Sequence, residues 1–191
     1  MSSPMSNFQP PTSANVFERT TSSVEDTQQI GEQVGRLLRA GDVVALHGEL
    51  GSGKTTFVQG LARGLQRDPE TIKSPTFVLM REYPGPIPLV HIDGYRLEGP
   101  SAAAWLDLEL IFSPHKITII EWADRFSGLL PEQYVEARLS HVSAHRRRVA
   151  LRGVGDQAHA MIEQLQRQTS ALRLQTSADA TKAQVDEIPR D

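Results

Sequence analysis

The chain has 191 residues, of which 39% are hydrophobic, so it is long enough for one domain with a sizeable core. It contains no cysteine, which excludes disulfides, thiolate metal sites and a cysteine nucleophile. A net charge of −3 gives no overall attraction to nucleic acid, and no stretch approaches the roughly 20 apolar residues of a membrane span, so we expect a cytoplasmic protein without membrane contact.

The first part of the chain predicts a leader and then a helix. Residues 1–15 are rich in serine and proline and poor in apolar side chains, which is typical of a flexible leader. The segment Ser22-Ser23-Val24-Glu25 has capping-box spacing, and apolar residues follow it at helical intervals up to Gly41. We expect this amphipathic helix to pack on a sheet rather than to take part in chemistry.

The next segment, Gly48-Glu49-Leu50-Gly51-Ser52-Gly53-Lys54-Thr55, fits the phosphate-binding pattern G-x-x-x-x-G-K-[ST]. Its glycines let successive backbone N–H groups face one anion at a helix N-terminus, Lys54 adds a positive charge for the phosphates, and the Thr55 hydroxyl can ligate magnesium. An apolar run at 43–46 precedes it and a helical pattern at 57–65 follows. The predicted nucleotide-binding residues are Glu49, Leu50, Gly51, Ser52, Gly53, Lys54, Thr55 and Thr56.

A hairpin is predicted after this helix. Ser74-Pro75-Thr76 leads into a β-prone run at 77–80, a proline-rich turn covers 84–88, and 89–92 is extended again. The second strand ends at Asp93, which places a carboxylate at the carboxyl edge of a strand, where ligands of open α/β sheets bind.

A second acidic residue ends another predicted strand. Ser101 can cap a helix over 102–110, and the apolar run 116–120 then predicts a buried strand that ends in Glu121. A carboxylate in this position can face a magnesium ion across from Thr55. Asp93 and Glu121 therefore compete for the metal role, and a solvated strand-end carboxylate is the alternative for each.

The C-terminal part predicts an antiparallel hairpin from the alternating residues around 135–139 and 149–151. Because strand residues alternate between faces, the arginines at 146–148 cannot form one flat patch, and we interpret them as a solvated strand edge. His141 and His145 would need a helix to share a metal, so we reject that site. A surface helix is possible around 161–165, and 176–191 is interpreted as disordered, so the domain is predicted to span 16–153 and an extension 154–191.

Four segments in order resemble the TsaE family, the ATPase component of bacterial tRNA threonylcarbamoyladenosine biosynthesis, over roughly residues 20–153. The phosphate loop with Thr56 is generic, but its combination with the other three at these separations is specific. These three segments are Ser74-Pro75-Thr76-Phe77, His91-Ile92-Asp93-Gly94-Tyr95-Arg96-Leu97 and Glu121-Trp122. The family commonly has Asp at the position of Glu49 and often Pro at that of Ala123, departures that remove no group the chemistry needs.

The resemblance implies a single P-loop NTPase-like α/β domain, with a mixed central sheet flanked by helices and the C-terminal hairpin. It also implies magnesium-dependent ATP hydrolysis that supports turnover of a TsaB–TsaD complex, which transfers threonylcarbamoyl to adenosine 37 of tRNA. Contact with tRNA would be indirect, through that complex. By resemblance Lys54 is the phosphate-binding lysine, Thr55 and Glu121 are the magnesium ligands, Asp93 is a catalytically important acid, and Ser74, Pro75 and Thr76 form a switch responsive to the γ-phosphate.

Two other functions stay open on the sequence: a small-molecule P-loop kinase and a nucleotide-gated scaffold without significant hydrolysis of its own. A kinase usually brings an arginine-rich lid over the phosphates, and no such insertion is visible. A GTPase is disfavoured because the chain has no Asn-Lys-x-Asp segment. The scaffold stays open because hydrolysis by P-loop proteins often needs groups from a partner.

Overall fold

A computed structural model describes residues 16–97, 107–126 and 128–186, with side chains up to residue 171. The predicted leader and the predicted start of a helix at Ser101 therefore lie outside the described residues. No helix within those described ranges is long and apolar enough to cross a membrane.

The described elements alternate between strands and helices in one α/β domain, as predicted. The strands are β1 (Val16–Thr21), β2 (Val43–His47), β3 (Met80–Tyr83), β4 (Leu89–Asp93), β5 (Ile117–Glu121), β6 (Tyr134–His141) and β7 (Arg147–Val154). The α-helices are α1 (Val24–Gly35), α2 (Lys54–Gly64), α3 (Leu108–Ile111) and α4 (Asp156–Asp186), and short 3-10 turns lie at Pro69–Thr71, Gly94–Arg96 and Ala123–Phe126.

The strands form one seven-stranded mixed sheet in the order β1-β7-β6-β2-β5-β4-β3. Strands β6, β2, β5 and β4 run parallel, whereas β3 and the β1–β7 side pair antiparallel. Register pairs Glu121 with Leu46 on one side and with Asp93 on the other. The carboxyl ends of β2, β5 and β4 therefore deliver the glycine loop, Glu121 and Asp93 to one edge of the sheet.

Two apolar layers cover the two faces of the sheet. On one face α1, α2 and α4 pack against residues such as Leu46 and Ile119, and on the other the turns after β4 and β5 cover Ala45 and Ile120. The central strands β2, β4 and β5 are buried along their whole length, as expected for parallel strands covered on both faces.

Helices α1 and α2 pack at backbone contact through four glycines, here called the glycine seam: Gly31, Gly35, Gly60 and Gly64. A Cβ atom at Gly60 would lie 2.2 Å from the Gln28 carbonyl oxygen, and one at Gly35 would lie 2.3 Å from that of Leu61. Only glycine allows so close an approach of two main chains. The helix that follows the glycine loop is thereby fixed directly to α1.

Helix α1 begins where the capping pattern predicts and ends earlier than expected. The Ser23 hydroxyl accepts from the Asp26 N–H at 3.0 Å, which caps the first turn. The helix stops at Gly35, not near Gly41, because the Leu37 N–H bonds to the Val34 carbonyl in a tighter turn.

The predicted start of β3 at residue 77 is wrong. Residues 77–79 form a turn, since the Val78 and Leu79 N–H groups both donate to the Pro75 carbonyl, and Leu79 has φ 67°. The strand starts at Met80 and pairs antiparallel with β4, so the hairpin itself is confirmed. The turn leaves Phe77 83% exposed.

The C-terminal part contains the predicted hairpin and a longer helix than expected. Strands β6 and β7 pair antiparallel, which confirms the hairpin. Helix α4 runs to Asp186, so residues 176–186, interpreted as disordered, are helical. Ile162 and Leu165 of this helix are buried in the core, which therefore continues past the predicted domain end at residue 153.

Candidate functional site

The glycine loop between β2 and α2 forms an anion-binding cradle. Gly48, Gly51 and Gly53 all have positive φ, and a Cβ atom at Gly48 would lie 2.2 Å from the Leu139 carbonyl oxygen. No side chain caps the N-terminus of α2. The Ser52 hydroxyl is buried and has no hydrogen-bond partner among the residues that the structure describes. These unpaired donors around one concavity fit a phosphate group.

Lys54 lies over this loop with its charge held inside the protein. Its side-chain Nζ donates to the carbonyls of Gly48 at 2.8 Å and Glu49 at 3.0 Å, and it lies 4.0 Å from the centroid of the Trp122 ring. Burial lowers the pKa of Lys54, and the nearby carboxylates of Glu121, Asp93 and Asp124 oppose that shift. A buried cation among carbonyls and carboxylates is positioned to bind a multiply charged anion.

Glu121 and Thr55 form a pair at the same edge. The Thr55 hydroxyl donates to the Glu121 carboxylate, at 2.9 Å to Oε1 and 3.1 Å to Oε2. Both groups offer hard oxygen atoms, and magnesium in proteins is usually held by one or two carboxylates together with phosphate oxygens. The donor set therefore fits a magnesium ion, and the geometry favours Glu121 over Asp93 as the partner of Thr55.

Asp93 has a different set of contacts. Its Oδ2 accepts from the Ser74 hydroxyl at 2.6 Å and from the Thr76 hydroxyl, while Oδ1 accepts from the Tyr95 N–H at 2.9 Å. Pro75 lies between the two hydroxyl residues and turns the chain that follows them. Asp93 thus holds the segment 74–76 against the cleft, and three donors already occupy its carboxylate.

Most of the predicted site residues line one cleft of about 520 Å³, in which the glycine loop faces both acids, Ser74 and Thr76, whereas Glu49, Ser52 and Pro75 do not line it. Three further groups in or directly behind this cleft, Tyr95, Trp122 and His91, were given no role from the sequence and entered only as parts of the resembling segments. Tyr95 and Trp122 form a tilted ring pair with centroids 5.1 Å apart, and Trp122 has φ 57°, a sterically costly conformation for a bulky residue.

His91 is the third missed residue. It is fully buried in β4, and its Nε2 lies 3.0 Å from Glu121 Oε1. An ionised carboxylate only accepts hydrogen bonds, so His91 Nε2 donates, and Nδ1 is left without a partner among the described residues. The position of a polar residue inside the apolar run 89–92 was the available indication of a role for His91. The partner of His91 could not be inferred from it, because the pairing of β4 with β5 is not visible in the sequence.

The remaining polar candidates do not line this cleft, although His141 Nε2 lies 3.4 Å from the carbonyl oxygen of Leu50 in the glycine loop. His141 and His145 belong to the β6–β7 hairpin, not to a helix, as predicted. Arg148 pairs with Glu18 at 2.8 Å, whereas Arg147 donates to the carbonyls of the hairpin turn. The neighbouring arginines thus have separate structural contacts and form no flat patch, as expected.

Known proteins with similar sequences agree on one family. The model of the family described as "Threonylcarbamoyl adenosine biosynthesis protein TsaE" matches residues 21–149. The chain is 33% identical over 148 residues to the tRNA threonylcarbamoyladenosine biosynthesis protein TsaE of Bacillus subtilis, covering 77% of this chain and 92% of that protein. The protein of the same description from Nostoc is 43% identical over 122 residues, covering 61% and 74% of the two chains. The crystal structure of Bacillus subtilis YdiB matches with a TM-score of 0.68 at 29% identity, covering 81% of this chain and 96% of that chain.

Proposed function

The chain belongs to the TsaE family of tRNA threonylcarbamoyladenosine biosynthesis, and from this membership we propose that it is the ATP-binding and ATP-hydrolysing component of that process. In this proposal magnesium-dependent ATP hydrolysis supports turnover of a TsaB–TsaD complex, and that complex transfers the threonylcarbamoyl group to tRNA. The observation that carries it is the convergence of the glycine loop, Lys54 and the Thr55–Glu121 pair in one cleft.

Each group has a distinct task in binding and hydrolysis. The backbone N–H groups of the loop and the Ser52 hydroxyl bind phosphate oxygens, and Lys54 exchanges its contacts to two loop carbonyls for a phosphate. Thr55 and Glu121 would hold a magnesium ion, which would supply positive charge against the phosphate oxygens. Asp93 orients Ser74 and Thr76 beside the phosphate end of the nucleotide.

The direct test is ATP hydrolysis by the purified protein with and without purified TsaB–TsaD. Stimulated, magnesium-dependent phosphate release supports the proposal. ATP binding without phosphate release under both conditions overturns the hydrolysis and favours a nucleotide-gated scaffold. One observation favours that second function: three donors already engage the Asp93 carboxylate, so only about one of its roughly four acceptor positions is open to an attacking water in this conformation.

Thr76→Val tests the proposed switch. The valine has no hydroxyl to exchange between Asp93 and a γ-phosphate, so we expect ADP affinity to be retained and the difference between ATP and ADP in binding TsaB–TsaD to be lost. Partner affinity is measured with ADP and with a nonhydrolysable ATP analogue. Thr71→Val is the control, because its hydroxyl only donates to the Asp68 carbonyl in a short turn. Equal nucleotide discrimination by wild type and Thr76→Val refutes the switch and leaves the ATP site intact.

His91→Leu tests a positioning role for the buried histidine. Without the N–H donor, the Glu121 carboxylate is held by Thr55 alone, and we expect the magnesium concentration for half-maximal ATP hydrolysis to rise about tenfold. ATP binding without magnesium should not change. His91→Gln restores an N–H donor and should recover part of the loss. A leucine variant with the magnesium dependence of wild type would show that His91 serves packing only.

A further inference from the structure

A buried histidine lies directly before the glycine loop and has no role in the site described above. His47 is the last residue of β2, and its side chain lies on the face of the sheet opposite to α1 and α2, because its neighbour Leu46 faces those helices. Only 8% of His47 is exposed, and it does not line the cleft that contains Glu121. A buried polar side chain needs an explanation, since its burial costs free energy unless hydrogen bonds offset that cost.

His47 connects the start of the glycine loop to the turn that follows β5. Its Nδ1 lies 2.8 Å from Asp124 Oδ1, and because an ionised carboxylate only accepts hydrogen bonds, Nδ1 donates. Asp124 lies shortly after Glu121, in the 3-10 turn Ala123–Phe126. We propose that His47 is a positioning residue that holds this turn, and with it Trp122 and Glu121, in the place needed for ATP hydrolysis. This role rests on the hydrolysis proposed above.

Trp122 is the residue that needs such support. It has φ 57°, a conformation that is costly for a bulky residue and persists only where neighbouring contacts hold it. The Arg125 N–H donates to the Trp122 carbonyl at 3.0 Å, which closes the turn, and the bond from His47 to Asp124 ties the turn to β2. Loss of that bond removes the tie, so the strained residue can relax.

Two groups of the site depend on the place of Trp122. The Lys54 Nζ lies 4.0 Å from the centroid of the Trp122 ring, and Glu121 precedes Trp122 in the chain. Burial lowers the pKa of Lys54, and Asp124 is one of the carboxylates that oppose this shift, so Asp124 is close enough to act on the lysine charge. A displaced turn would therefore move both the Lys54 contact and the Glu121 carboxylate out of the geometry that hydrolysis requires.

Glu136 is the competing partner of His47. The His47 Nε2 lies 3.7 Å from Glu136 Oε1, beyond hydrogen-bond distance, and has no hydrogen-bond partner among the residues that the structure describes. The Glu136 carboxylate is already engaged by Arg138 at 2.6 Å and by Arg152 at 2.9 Å. The positioning role therefore belongs to the bond between His47 and Asp124.

His47→Leu removes the donor and keeps most of the bulk of the side chain. We expect kcat for magnesium-dependent ATP hydrolysis with TsaB–TsaD to fall about tenfold, because the Glu121 carboxylate loses its fixed orientation. Affinity for inorganic tripolyphosphate, which has the phosphates but no nucleoside, should not change, since the glycine loop stays intact. His47→Asn places an amide N–H close to the position of Nδ1 and should recover most of the loss. Equal losses in the two variants overturn the proposal.

Asp124→Ala tests the same bond from the other side, at a side chain that is 60% exposed, so the fold should not depend on it. We expect kcat to fall as in His47→Leu, and the double variant should be no slower than Asp124→Ala alone. Losses that multiply in the double variant would show independent effects and refute the connection. Glu136→Gln is the control, and a loss of the same size in that variant would overturn the assignment to Asp124.

A wild-type protein that releases no phosphate with TsaB–TsaD overturns the proposed function, and a second measurement then decides whether His47 holds the turn. The NMR signal of the Trp122 indole N–H, assigned with Trp122→Phe, reports where the ring lies. We expect this signal to shift in His47→Leu and in Asp124→Ala and to return in His47→Asn. An unchanged signal in His47→Leu refutes the positioning of Trp122 by His47.

Discussion

Lys54→Ala is expected to weaken ATP binding at least about thirtyfold, because truncating one partner of a buried, hydrogen-bonded charge pair costs about 2 kcal/mol or more. Lys54 is only 5% exposed, and alanine leaves a space at the phosphate cradle without a cation. Tripolyphosphate should be weakened as strongly as ATP, since the lysine meets phosphate and not the nucleoside. Calorimetric titration of both ligands measures this.

Lys116→Ala is the matched control for this variant. Lys116 pairs with Glu82 at 2.8 Å and precedes β5, at the opposite end of that strand from Glu121. Its removal changes the net charge equally but leaves the cleft intact, so ATP affinity should not change. Unchanged ATP binding by Lys54→Ala would count heavily against the proposed site.

Glu121→Gln is expected to keep the fold and to lose magnesium-dependent ATP hydrolysis by about a hundredfold or more, since the amide removes the charge that a hard cation requires. The fold should persist because the amide oxygen can accept from both His91 and Thr55, which in the structure both contact Oε1. The midpoint temperature of thermal unfolding should hardly change. The loss of ATP hydrolysis is measured as phosphate release over a magnesium titration.

Glu136→Gln separates a specific effect from general destabilisation. Glu136 is also a buried strand glutamate, but it pairs with Arg138 and Arg152 on β6 and β7. This variant should keep its magnesium-dependent hydrolysis. Near-normal, magnesium-dependent activity in Glu121→Gln would instead move the metal role to Asp93.

The sequence predicted the positions of the site groups better than their pairing. Apolar runs that end in Asp93 and Glu121 placed both acids at strand ends, and the structure confirms these strands. Their different contacts follow from sheet order, because β5 lies directly beside β2 and therefore brings Glu121, not Asp93, to Thr55. Strand order depends on contacts between distant segments, which local patterns do not contain.

Two errors have local physical causes. Residues 77–79 have high strand propensity, but the Pro75 carbonyl captures two N–H groups and the Asp93 N–H bonds to the Leu79 carbonyl, so the turn is held by contacts with neighbours. Residues 176–186 are polar and contain no aromatic residue, which indicated disorder. The same residues include three alanines and neither glycine nor proline, so they can continue the helix that the core anchors at Ile162.

The glycine seam makes α1 and α2 one mechanical unit. Main chain touches main chain there, so no layer of side chains can absorb a shift by changing rotamers. A displacement of the start of α2 is therefore transmitted to α1 without attenuation. The distance between the start of α1 and the glycine loop is consequently fixed. Any nucleotide-dependent motion therefore has to occur in the 74–79 segment, on the other side of the loop.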